Sequence, residues 1–240
     1  MNTTLEVCVD NAAGVMSCVQ AGADRIELCA CLAMGGLTPS AGLMQLASEV
    51  SIPTHAMIRP RDGGFHYSED EVTLMCCDIE TAKAMKLAGV VFGASTPNAT
   101  LDIGVLSRLC DAAGSLSKTL HRLIDTLRDP ISAVDQAIDL GFNRILTSGG
   151  AKSVAKGIVT LEHMQKQANG RIEIMAGAGL SPELVIQIRS QTGIHSFHAS
   201  CREPVSTSAQ MAELGFSANT RFETSVSLIS AFQRHLTDER

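Results

Sequence analysis

The sequence predicts a closed parallel barrel of eight strand–helix units, the (β/α)8 or TIM barrel, as a single domain over residues 1–240. Three observations carry that prediction. Short apolar runs alternate with stretches of helical period from Leu5 to about Ala199. The units number eight in 240 residues, about 30 residues each, the length of one βα unit. Several helical stretches end in a glycine before the next apolar run, as in "QAGAD", "KLAGV" and "DLGFN", where a left-handed cap is expected at the junction. Repeated strand–helix units imply parallel strands, and eight of them in about 250 residues close a barrel. A doubly wound open sheet is the competing arrangement.

The elements follow in order. "LEVCV" from Leu5 is the first strand, with Asn11 capping a helix through "AAGVMSCVQAGA". The later strands lie in "RIELCA", "PTHAMIRP", "GVVFGAS", "KTLHRLID", "NRILTS", "IEIMAGAG" and "IHSFHAS". A helix is expected over 70–88, because Val72, Met75, Cys76, Ile79, Ala82 and Leu87 keep a helical period. Ser68 and Glu71 form the capping-box pattern before it. Residues 202–223 are polar and irregular and are expected to form a long loop after strand eight. A closing helix should follow from about Thr224 to His235.

Composition narrows the function. Apolar residues make up 45% of the chain, aromatics 3%, and there is no Trp, so the core must be aliphatic. The net charge of -6 and the absence of a basic run argue against nucleic acid, which needs clustered Lys and Arg. No run reaches the ~18 apolar residues of a membrane span. The start "MNTTLEVCVD" lacks a basic, greasy signal segment, so a cytoplasmic location is expected. The eight cysteines are scattered and include no CxxC. In a reducing compartment they are free thiols, core fillers or soft-metal ligands, and a structural zinc site is not indicated.

Strand parity locates candidate site residues, because alternate side chains face opposite sides of a strand. Leu5, Val7 and Val9 should meet the helices, leaving Glu6, Cys8 and Asp10 inside the barrel. Ile26 and Leu28 likewise oppose Glu27 and Cys29. Met57 and Arg59, Thr119 and His121, and His198 and Ser200 point inward by the same rule. Buried charge is costly unless paired, so a polar interior assembled from several strands points to a site. Glu6 or Glu27 could equally neutralise Arg59 inside the barrel, and Cys18, Cys76, Cys77 and Cys110 read as inert helix-borne core. Glu6, Glu27, Arg59 and His121 are candidates for acid–base work on a small anionic substrate, with His121 as proton shuttle and Glu27 as its partner. The turns "LTSGG" and "AGAGLSPE" could present backbone N–H groups to an anion through Ser148, Gly149, Gly177 and Gly179. Arg61, beside Arg59, is a further anion ligand or a surface salt bridge.

These pieces, in this order, resemble the CutC family, long called copper homeostasis proteins. The resemblance rests on "LEVC", "GADRIELCACLAMGGLTPS", "IRPRDGGFHYSEDE", "LHRLID", "LTSGG", "IMAGAGL" and "HAS", spanning Leu5 to about Ser200. It implies a (β/α)8 barrel, a cytoplasmic location and an association with Cu(I) carried by cysteines, and it assigns Cys8 and Cys29 as metal ligands. Soft thiolates select Cu(I), which accepts few ligands, and Met57 could add a third. The leading expectation is cytosolic copper binding and tolerance. The alternative is a barrel enzyme acting on a phosphorylated or carboxylated metabolite at the C-terminal mouth. A third reading is a scaffold acting through homo-oligomer contacts.

Overall fold

The run Thr4–Val9 alternates β-formers with Glu6 and Cys8 and makes the longest barrel strand, β1. The other seven are β2 (Arg25–Leu28), β3 (Thr54–Met57), β4 (Gly89–Phe92), β5 (Ser117–Leu120), β6 (Arg144–Thr147), β7 (Glu173–Gly177) and β8 (Ser196–Ala199). Every neighbouring pair is parallel, and β1 pairs with both β2 and β8, so the sheet closes in sequence order. This is the (β/α)8 barrel the sequence predicts. The computed structural model describes residues 3–237; the ends of the expected 1–240 span lie outside them.

The crossover helices are α1 (Ala12–Ala21), α2 (Ala41–Ser48), α3 (Glu69–Ala84), α4 (Ile103–Ala113), α5 (Ser132–Asp139), α6 (Val154–Ala168) and α7 (Pro182–Thr192). Their starts are set locally. Asn11, Ser40 and Asp102 accept backbone N–H groups of α1, α2 and α4, and Ser68 and Glu71 close the capping box of α3. No helix among the described residues is long and apolar enough to cross a membrane.

Two cores result. Leu5, Val7, Ile26, Leu28, Phe92, Leu120, Ile145 and Phe197 on the outer strand faces pack with the helices in one large cluster. Cys29, Met57 and Val91, with Leu32, form a separate small apolar group. Most burial that stabilises the fold therefore lies in the ring between sheet and helices, and the interior mixes a few apolar side chains with many polar groups.

At the N-terminal end of the barrel those groups form a closed ion network. Arg25 binds Glu6 and lies 3.4 Å from Glu173. Arg144 lies 3.0 Å from the same Glu173 oxygen and donates to Thr119 Oγ1. Ser196 Oγ also donates to Glu173. Each buried charge has an opposite partner, as a low-dielectric interior requires.

The structure corrects several sequence expectations. The helix expected over 70–88 ends at Ala84, because Lys86 takes positive φ and turns the chain into β4. Gly22 and Gly141 have the expected left-handed backbone, but Gly89 is a strand residue. A Cβ there would stand 2.7 Å from the His55 ring and 2.5 Å from Ser117 O. Cys77, expected in a helix-borne core, is exposed.

The expected loop 202–223 is instead an antiparallel arm, with β9 (Arg202–Ser206) and β10 (Thr220–Thr224) flanking a short α8 (Ala209–Glu213). Both strands are mostly exposed, so no in–out alternation announced them. The closing helix α9 (Val226–Thr237) begins two residues later than expected and packs on α1 and α7.

Candidate functional site

The C-terminal ends of the strands, where barrel sites are built, open into a cavity of about 630 Å³. Cys8, Glu27 and His198 line it from three adjacent strands. The register explains their meeting: Cys8 pairs with Glu27 across β1 and β2, and Glu6 pairs with His198 across β1 and β8. One donor atom from each of Cys8, Glu27 and His198 lies within 4.8 Å of the others. Gly177 makes room for this arrangement. A Cβ on it would stand 2.6 Å from Leu146 Cδ1 and 3.1 Å from His198 Cβ.

His198 is held between two carboxylates. Its Nδ1 is 2.8 Å from Glu6 Oε1 and its Nε2 is 3.7 Å from Glu27 Oε2. Burial opposes its charge, but Glu27, Cys8 and Glu6 outweigh burial and hold the imidazole well above its usual pKa. Glu6 shows the reverse balance. Burial would raise its pKa, yet Arg25 and His198 hold it well below the usual carboxylate range. Burial, reinforced by Glu6, pushes Glu27 up. Cys29 lies two residues beyond Cys8's partner Glu27, just past the end of β2, with Sγ 3.5 Å from Glu27 Oε2. Burial and Glu27 push that thiol well above its normal value.

Arg59 and His121 lie on the cavity wall. Arg59 donates through Nη1 to the carbonyls of Met34 and Gly36 and through Nη2 to Gly63. It thereby ties the loops after β2 and β3 together. His121 caps a 3₁₀ turn over Arg122–Thr126 by accepting from Leu123 N–H at Nδ1. Burial, with Arg59 nearby, pushes its pKa down to about 3, so the ring is neutral. Phe65 stacks against it, with centroids 4.9 Å apart, and Arg59 lies 5.2 Å over the same Phe65 ring.

The remaining candidates are placed differently. Glu6 belongs to the ion network below the cavity. Arg61 is bound by Glu71 and the carbonyls of Asp62, Gly64 and His66, so it braces its own loop and does not line the cavity. The "LTSGG" turn does cradle an anion, but that anion is the chain's own Asp125. This carboxylate accepts from Ser148 N, Gly150 N and Thr147 Oγ1 and pairs with Arg122. Gly149 serves close packing on α6, where its Cβ would stand 2.3 Å from Gly157 O. Gly179 lines the cavity rim.

Sequence parity put His198 inward without assigning it a role. Its neighbours in the cluster come from the other side of the barrel closure, which the chain order conceals. Asp125 and Arg202 lie beyond the ends of the barrel strands, where parity within those strands says nothing.

Together the fold and the site define a (β/α)8 barrel with a thiol, imidazole and carboxylate gathered at its C-terminal mouth. The CutC family model matches residues 3–203. A family protein CutC from Agrobacterium fabrum is 46% identical over 222 residues, covering 92% of this chain and 88% of its own. One from Vibrio campbellii is 48% identical over 203 residues, covering 83% and 82%. The crystal structure of a CutC copper homeostasis protein from Streptococcus agalactiae superposes with a TM-score of 0.79 at 32% identity. That match covers 82% of this chain and 98% of that one. The chain belongs to the CutC family. The family model ends two residues into the arm, and the rest of the arm and α9 lie beyond it.

Proposed function

We propose that this chain binds copper inside its barrel as cytosolic cargo in copper homeostasis, held as Cu(I) by Cys8 and His198, with Glu27 and Cys29 alongside. One observation carries the reading: donor atoms of Cys8, Glu27 and His198, from three different strands, lie within 4.8 Å of one another. Thiolate and imidazole are ligand types that copper favours, so the residues fit the ion. Glu27 adjoins both thiols. As a hard oxygen donor it would supply charge more than coordination. Loading the site requires Cys8 and His198 to give up protons, so binding releases protons. Glu6 would orient the imidazole through Nδ1, the outer-shell partner that ligating histidines usually have.

The test is a competition titration of reduced protein against a Cu(I) chelator such as bicinchoninate. Cys8→Ser and His198→Asn should each weaken binding beyond the roughly 10–100-fold that loss of an outer-shell partner costs. The double change Cys76→Ser, Cys77→Ser should leave affinity unchanged. Cys29→Ser separates a two-thiol site, which it would destroy, from a thiol–imidazole site, which it would only weaken. Native affinity in both Cys8→Ser and His198→Asn would refute the reading.

A further inference from the structure

Buried polar atoms without a hydrogen-bond partner are rare in native proteins, and each calls for an explanation. Among the described residues seven side-chain atoms have that status, and four of them, Glu27 Oε1, Arg59 Nε, His121 Nε2 and Arg202 Nε, belong to residues lining the one cavity at the barrel mouth. Their chemistry is complementary. The neutral His121 ring accepts at Nδ1, so its proton sits on Nε2 and that N–H is a free donor. Arg59 and Arg202 each keep an unused N–H. Glu27 offers a free acceptor oxygen.

Charge points the same way. Of the charged residues lining the cavity, Arg122 is paired with Asp125 and His198 faces Glu27. Arg59 binds carbonyl oxygens, and Arg202 lies 5.7 Å over the Phe222 ring. Neither has a carboxylate partner among the described residues. Two arginines without a carboxylate partner thus line one cavity in a chain whose net charge is -6. The cavity, at about 630 Å³, is the size of a small-molecule site. Phe65, Leu32, Met57 and Leu146 supply apolar wall.

We infer that this cavity binds a small hydroxylated organic anion, its phosphate or carboxylate groups held by Arg59, His121 and Arg202 and its hydroxyl donating to Glu27. Arg202 is the first residue of the arm, so the arm supplies a ligand-binding group from a segment at the edge of the family match. None of its three donors is a proposed metal ligand, and Glu27 alone is shared with the copper reading.

The experiment is a calorimetric titration of metal-free protein, kept in chelator, with three probes: inorganic phosphate, glycerol phosphate and malate. Copper is absent, so the outcome is independent of the copper reading. At least one hydroxylated anion should bind saturably and more tightly than inorganic phosphate. Glycerol phosphate against malate then tells a phosphate ester from a carboxylate. Arg202→Gln and His121→Gln should each weaken that binding about tenfold or more, the usual scale for one charge-assisted hydrogen bond. Arg108→Gln, which removes a surface charge paired with Glu69, should not. If His121→Gln fails to fold, Arg202→Gln on the half-exposed arm decides the matter. Failure of every probe to saturate below about 10 mM, where affinity is under ~3 kcal/mol, would overturn the inference. So would native affinity in Arg202→Gln, or an equal loss in Arg108→Gln.

Discussion

Replacing Asp125 by Ala would remove the carboxylate that fills the nest after β6. Thr147 Oγ1 donates to it at 2.6 Å and Ser148 N at 3.0 Å, and both residues are fully buried. Gly150 N and Arg122 Nε also donate, but these two groups reach solvent and would rehydrate. The Ser148 hydroxyl retains Ala151 O as an acceptor. Ser148 N is therefore orphaned and Thr147 Oγ1 is left with only the weak Met164 Sδ acceptor at 3.8 Å, at about 1–3 kcal/mol each, for a total near ~4 kcal/mol. In a chain of this size that lowers Tm by roughly 8–16 °C. The nest is left intact and empty of its anion, so inorganic phosphate should restore part of the loss. Urea unfolding and thermal melts of native and Asp125→Ala protein, in phosphate and in chloride at matched ionic strength, test both halves. A loss under about 1 kcal/mol would show that the carboxylate is dispensable. Phosphate stabilising the variant no more than the native protein would show that the turn is not an anion nest.

Four further outcomes follow from the structure. Gly157→Ala places a Cβ 1.8 Å from Ser148 O, a backbone atom that cannot step aside, and should cost about 3 kcal/mol or more by denaturant unfolding. Gly42→Ala, in α2 with only Ser40 Oγ at 4.0 Å, should instead stabilise by up to ~1 kcal/mol. Glu6→Gln leaves Arg25 and His198 without their shared counter-charge and should cost about 3–5 kcal/mol. Burial, only partly offset by Glu6, lowers the His55 pKa from 6.5 to about 4. Its neutral form therefore favours the fold above the unfolded value, and that contribution is lost as pH falls through the folded one. At about 1.4 kcal/mol per unit, roughly 3 kcal/mol of stability should disappear between pH 6.5 and pH 4. His55→Gln should flatten that slope, and an unchanged slope would mean that other groups set it.

The sequence by itself determined the barrel. Eight units of one length, aliphatic faces of period two and caps such as Asn11, Ser68 and Gly22 are local signals, and each agrees with the parallel closed sheet. Parity also placed Glu6, Cys8, Glu27, Cys29 and His198 inside, because alternation survives whatever the partner strand. What parity could not supply was register. Cys8 and Cys29 each stand two residues after a glutamate, yet the shear of a closed barrel sets Cys8 against Glu27 and brings His198 to their side from the far end of the chain. Whether a buried polar group is spent or free was equally out of reach. Arg61 and the "LTSGG" amides read like an anion site, and only tertiary contacts gave them to Glu71 and Asp125. The arm was hidden for a different reason: a solvated hairpin buries neither face, so its hydrophobic pattern carries no period. Hydrogen-bond partners such as Glu6 and His198, 192 residues apart, leave no trace in local composition, and the chemistry at the barrel mouth depends on such a pair.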